Sequence, residues 1–206
     1  MTLDLTLDTS IDNAISAVEQ LKLPKQRSFI LAAATSVAET FKRGNKVIIA
    51  GNGGSLCDAA HFAEELTGFF RGYRKAFPAI ALCEPGHLTC VGNDIGFEWV
   101  FSRGVEAYGQ PGDLFIGLTT SGNSQNLIHA FDTAKKKGLS TIAFLGKGGG
   151  KLKGVADLEL IIDHFTTSDR IQEAHMAAIH ILIELMEHLL EEVPADMAYA
   201  KSYAKH

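Results

Sequence analysis

Apolar residues along the chain fall into two kinds of run. Some are short and nearly continuous: KVIIA at 46–50, PAIAL at 78–82, DLFIGL at 113–118, STIAFL at 140–145 and DLELIID at 157–163. Runs of that kind predict strands buried on both faces. Others recur at helical spacing. FILAAATSVAETF places apolar residues at 29, 30, 33, 37, 38 and 41, which predicts a helix. Further helices are expected over 56–69, 97–108, 124–137 and roughly 169–192. Residues 10–43 read as two helices parted at Pro24, with Ser10 as a candidate cap for the first. Gly44 and Gly138 stand where helices should stop.

Strands alternate with helices after residue 45, so the fold class is α/β, with a five-stranded parallel sheet covered on both faces. No repeat or linker divides the chain. A single domain is expected, with N-terminal helices over 1–44, an αβα core over 45–193 and a loosely ordered tail over 194–206. The N-terminal helices and the last long helix carry more apolar surface than such a sheet needs. That surplus predicts packing against other subunits of a homo-oligomer.

Bulk charge narrows the possible partners. The formal charge is −5 over 206 residues, and KKK at 135–137 falls at a helix end, where cations complement the dipole. No nucleic-acid partner is expected. Cys57, Cys83 and Cys90 form no CxxC pair, which predicts reduced thiols and a cytoplasmic protein. The N-terminal MTLDLTLDTS lacks a basic region and is not read as a signal peptide. HMAAIHILIELMEHLL at 175–190 is the most membrane-like stretch, but His and Glu interrupt it, so no membrane partner is expected.

Two loops carry the chemistry. GNGGS at 51–55 and TTSGNS at 119–124 each follow a predicted strand and open into a predicted helix. That order aims free backbone N–H groups and a positive helix end at an anion. The second loop adds the hydroxyls of Thr119, Thr120, Ser121 and Ser124, with Gly122 and Asn123 suited to positive φ and Ser124 to the helix N-cap. It predicts a phosphate cradle that needs no lysine. The first loop is not a dinucleotide fingerprint, because Leu56 stands where GxGxxG has its last glycine. Its Asn52 offers an amide to a sugar hydroxyl. GKGGGK at 146–151 completes no P-loop and reads as a mobile turn.

His61 and Glu65 are four residues apart on a predicted helix and share a face. The pair suits a metal, or a base with its partner, and equally an exposed ion pair with no function. His175 and His180 lie about 140° apart around one helix and should not share a ligand. Taken alone, His180 in AAIHILI reads as a satisfied core histidine.

These residues fall within longer strings: AGNGGS at 50–55, CDAAHFAEELTG at 57–68, PAIAL at 78–82, CVGNDIGF at 90–97, TTSGNS at 119–124 and DRIQEAHMAAIHILIELME at 169–187. Together they resemble the sugar isomerase (SIS) domain family and, within it, the phosphoheptose isomerases. The resemblance implies a three-layer αβα sandwich, flavodoxin-like, assembled as a homotetramer. It implies isomerisation of sedoheptulose 7-phosphate to D-glycero-D-manno-heptose 7-phosphate, on the way to the heptose of lipopolysaccharide core. It implies one zinc per subunit on His61, Glu65, Gln172 and His180, with Glu65 and His180 catalytic. Substrate contacts carry over to Asn52, Gly53, Gly54, Ser55, Glu65, Asn93, Asp94, Thr119, Thr120, Ser121, Ser124, Asp169 and Gln172.

Two positions depart from the family pattern. Thr119 replaces a frequent Ser and keeps the hydroxyl. Phe69 replaces a frequent Arg, for which Arg71 and Arg74 are candidate substitutes. Gln172 and His180 are eight residues apart, about 12 Å along a helix. Either the site draws on more than one subunit, or the last helix starts after Gln172. Other proteins of this fold are not enzymes, such as the DnaA initiator-associating replication factor or sugar-phosphate sensors. Glu65 and His180 favour the enzyme.

Overall fold

The computed structural model describes residues 2–190. Helix α1 (Leu3–Glu19) begins seven residues before Ser10, because Thr2 caps it by accepting a hydrogen bond from the Leu5 N–H. Helix α2 (Pro24–Lys42) has its proline in the first turn, where no N–H is missed, and ends before Gly44 at φ +78°. Then follow β1 (Val47–Gly51), α3 (Gly54–Thr67), β2 (Ala79–Ala81), α4 (Pro85–Asp94), α5 (Val100–Tyr108), β3 (Leu114–Thr119), α6 (Gln125–Lys136), β4 (Ser140–Gly146), β5 (Leu158–Ile162) and α7 (Ser168–Leu190).

Every predicted strand is present. Helix α4 was not expected from apolar spacing. Glu84 starts it, accepting hydrogen bonds from the N–H groups of Gly86 and His87, with Pro85 in the first turn. The tail over 194–206 lies outside the described residues.

All pairings are parallel, in the order β2-β1-β3-β4-β5. Alternate strand residues feed two cores. Val47, Ile49, Ile116 and Phe144 meet α1, α2, α3 and α7, whereas Ile48, Ala50, Phe115 and Leu145 meet α4, α5 and α6. The result is the three-layer sandwich expected of near-continuous apolar strands. The strand order reverses between β1 and β3, so their carboxyl ends open on a shared crevice. The two glycine-rich loops follow these two strands.

Candidate active site

The first loop turns within a few atoms. A Cβ on Gly51 would stand 2.3 Å from the Ser55 carbonyl oxygen, and Gly53 adopts φ +56°. Only glycine tolerates either position, and the tight turn launches α3 directly from β1. The Asn52 side chain is bound in a reciprocal pair with Asn126: each amide donates to the other's oxygen, at 3.0 and 2.9 Å. Asn126 is buried in the first turn of α6, so this pair ties the two loops together. Sequence reading missed Asn126, because 74 residues separate the partners. A crevice of about 490 Å³ opens between the loops, lined by Asn52, Gly53, Ser124, Gln125, Asn126 and by Phe97 and Glu98.

In the second loop Gly122 adopts φ +65°. The Thr119 hydroxyl accepts from the Gly122 N–H and shares a hydrogen bond with the Ser124 hydroxyl, both at 3.3 Å. Ser124 is the N-cap of α6 by backbone geometry, yet its hydroxyl turns to Thr119 rather than to the helix. The Ser121 hydroxyl accepts from the Asn123 N–H, and Thr120 meets Ser168 at the start of α7 at 3.0 Å. GKGGGK is not a loose turn. It forms a glycine turn, Lys147–Leu152, with non-helical backbone at Gly148, Gly149 and Gly150, packed against this loop.

Helix α3 carries His61 and Glu65 one turn apart, with His61 Nε2 3.2 Å from Glu65 Oε1. His180 reaches them from α7, its ring 5.2 Å from that of His61 and stacked on Phe70 at 5.6 Å. Ligand atoms of His61, Glu65 and His180 all lie within 4.8 Å of one another. Two imidazoles and a carboxylate so gathered suit a divalent ion such as zinc, and three protein ligands leave a coordination position open. Burial lowers the pKa of His180, and nearby His61 lowers it further. A neutral imidazole is the form that binds a metal or accepts a proton.

Asp58 shares the face of α3 with His61 and Glu65. Its carboxyl is pushed up to about 6 by burial, partly offset by His61, and its Oδ2 is buried with no hydrogen-bond partner among the described residues. Its signal in the sequence was the spacing of 58, 61 and 65 on one helical stripe.

Two expectations are corrected. Helix α7 is unbroken from Ser168, so the alternative that it starts after Gln172 does not hold. His61, Glu65 and His180 meet within one chain, and Gln172, on the same helix as His180, donates from Nε2 to the Ser55 hydroxyl at 3.3 Å beside the first loop. Its amide fills the space where a Gly54 Cβ would stand, 2.6 Å away. Arg74 is engaged within the fold. It binds Glu187 at 2.6 Å and donates to the carbonyls of Glu65 and Leu66, closing the end of α3. Second, the core histidine is His175, not His180: it is fully buried, with Nε2 3.0 Å from the Leu145 carbonyl oxygen.

Other expected contacts lie apart. Asn93 and Asp94 are exposed at the end of α4 and bond to each other at 2.7 Å. Asp169 is exposed and pairs with Arg170 at 3.2 Å, and it faces a shallow pocket beside α1. Its carboxyl is lowered, chiefly by a hydrogen bond from the Thr167 side chain. Arg71 pairs with Glu184 at 2.5 Å and stands over Phe70, next to His180. Phe69 is exposed.

Comparison with known proteins places this geometry. The SIS domain family model matches residues 11–146. The phosphoheptose isomerase of Fusobacterium nucleatum is 58% identical over 157 residues, 76% of this chain and 80% of that protein. Among solved structures, phosphoheptose isomerase GmhA from Neisseria gonorrhoeae superposes with a TM-score of 0.83 at 34% identity, covering 91% of this chain and all of the other. A phosphoheptose isomerase from Francisella tularensis gives 0.85 at 30% identity, with the same coverage.

Proposed function

The chain belongs to the phosphoheptose isomerases of the SIS-domain family, and from that premise we propose how its site converts sedoheptulose 7-phosphate to D-glycero-D-manno-heptose 7-phosphate. The observation that carries the proposal is the convergence of His61, Glu65 and His180 from two helices. Aldose–ketose isomerisation moves one proton between C1 and C2 through an enediol. Glu65 takes the proton from one carbon and returns it to the other. His180, favoured as the neutral base, moves the second proton between O1 and O2 and assists ring opening.

The residues that would hold zinc are His61, Glu65 and His180, with Gln172 as the fourth by family resemblance. Bound there, the ion would supply Lewis-acid stabilisation of enediolate charge. The second loop holds the phosphate through Thr119, Thr120, Ser121, Ser124 and the first N–H groups of α6. The first loop, Asn52 to Ser55, holds the sugar. His61 lies six residues beyond Ser55, roughly 9 Å along α3. An extended sugar phosphate therefore reaches both ends of the site.

We further read the protein as a cytoplasmic homotetramer with shared sites. Leu7, Ile11, Ile15, Leu31, Ile181 and Leu189 are exposed on α1, α2 and α7, which supports subunit packing. Assembly is also the route by which the exposed Asn93, Asp94 and Asp169 would reach a sugar. The product would feed heptose assembly for lipopolysaccharide core. The replication-factor reading is not favoured, since both proton-transfer residues are in place.

The test is turnover of sedoheptulose 7-phosphate by the purified protein, with and without a chelator, beside Glu65→Gln. Turnover should be lost on chelation and return with zinc. Glu65→Gln should abolish turnover while circular dichroism stays unchanged. Near-normal turnover in that variant removes Glu65 as the base, and activity that survives chelation removes the metal.

A further inference from the structure

The chemistry above leaves the glycine-rich segment Lys147–Leu152 without a role. Its three glycines all adopt positive φ: +75° at Gly148, +90° at Gly149 and +55° at Gly150. Their surroundings differ. A Cβ on Gly148 would meet nothing within 4 Å among the described residues. A Cβ on Gly150 would stand 2.4 Å from the Ser121 carbonyl oxygen and 2.8 Å from Asn123 Oδ1. From the other side, a Cβ on Gly122 would stand 1.8 Å from the Gly149 carbonyl oxygen. Two stretches of backbone thus interlock at a separation that only glycine allows.

Hydrogen bonds fasten the contact. The Lys151 N–H donates to Asn123 Oδ1 at 3.1 Å, and the Leu152 N–H donates to the Gly122 carbonyl at 3.0 Å. Asn123 Nδ2 in turn donates to the Ser121 carbonyl at 3.0 Å. The segment itself is anchored, because Leu152 is buried in the core shared by α5 and α6. The curve of the second loop is therefore set through its backbone and Asn123, by contacts that use none of its hydroxyls. An anion cradle gains affinity when its donors are held in place before the ligand arrives.

We propose that Lys147–Leu152 positions the phosphate cradle, with Asn123, Gly150 and the Lys151 N–H as positioning groups that set affinity for the substrate's phosphate. The proposal rests on the reading of residues 119–124 as that cradle. It is tested by steady-state kinetics on the full chain, with inorganic phosphate as a competitive probe, for Asn123→Ala, Gly150→Ala, Gly148→Ala and Ser121→Ala. Asn123→Ala should raise KM and the phosphate inhibition constant about three- to tenfold, the scale of one lost hydrogen bond, with kcat little changed. Gly150→Ala should raise both roughly tenfold or more, because backbone must shift. Gly148→Ala is the milder change, since φ 75° and ψ 1° lie in the left-handed region that Ala enters at modest cost and its Cβ touches none of the described residues, so it should bind phosphate as the parent does.

A fall in kcat at constant KM overturns the proposal, and so does equal weakening in Gly148→Ala and Gly150→Ala. If Ser121→Ala weakens phosphate binding but Asn123→Ala and Gly150→Ala do not, only the brace is refuted. If Ser121→Ala leaves phosphate inhibition unchanged, the cradle fails and this proposal fails with it. Should Gly150→Ala not fold, Asn123→Ala decides alone, since Asn123 is exposed.

Discussion

His175 makes the stability of this protein depend on pH, and the size of the effect follows from its surroundings. Its ring is fully buried beside Phe144, Nε2 donates to the Leu145 carbonyl, and Nδ1 is buried without a partner among the described residues. A second proton would place a charge on a fully buried ring whose Nδ1 has no acceptor among those residues. Burial therefore lowers the pKa from 6.5 to about 4, and the Leu145 bond only partly opposes the shift. Between those values the unfolded chain binds a proton that the folded chain does not. Stability is thus complete above the unfolded value and falls as pH drops toward the folded one. Over the whole window the loss is roughly 3 kcal/mol. The perturbation is His175→Gln, which keeps a donor for Leu145 and cannot titrate. Urea unfolding of both proteins at about pH 7.5 and about pH 5 gives the assay. The parent should lead at the higher pH by about 1 kcal/mol, the scale of imperfect repacking. Its advantage should shrink by about 2 kcal/mol at the lower pH, reversing the order. Asp58, raised to about 6, shifts stability the opposite way as pH falls, but it is common to both proteins and cancels in the difference. Parallel stability curves across this range would refute the assignment of His175 as a buried neutral base.

Two further outcomes follow from packing. Arg74→Ala removes the Glu187 pair and the donors to the last carbonyls of α3, so it should cost roughly 3 kcal/mol by urea unfolding. An unchanged midpoint would show that this arginine is not structural. Gly117→Ala would set a Cβ 2.5 Å from the Phe131 ring, so it should lower stability by about 1–3 kcal/mol. A thermal melt equal to that of the parent would show that α6 yields without strain.

Much of the fold was legible because the local signals agreed. Five apolar runs became the five strands, and alternation with helices entailed a parallel sheet covered on both faces. Both glycine-rich loops were also local, since strand, glycine turn and helix start follow one another directly. His61 and Glu65 needed only the helical repeat. The bounds of α1 and the existence of α4 escaped, because caps at Thr2 and Glu84 set them rather than apolar spacing.

The strands, the two loops and the stripe of α3 that carries His61 and Glu65 are written in local sequence. Which histidine of α7 meets His61 and Glu65 is set by docking. Periodicity sets His175 and His180 on different faces, but which face meets β4 and which meets α3 depends on how the helix docks. The same holds for Asn126 on Asn52, Arg74 on Glu187, and Lys147–Leu152 behind the second loop. Each joins elements that are neighbours in space and distant in the chain. Local propensity carries no information about such contacts, because they exist only once the sheet has fixed the order of its strands.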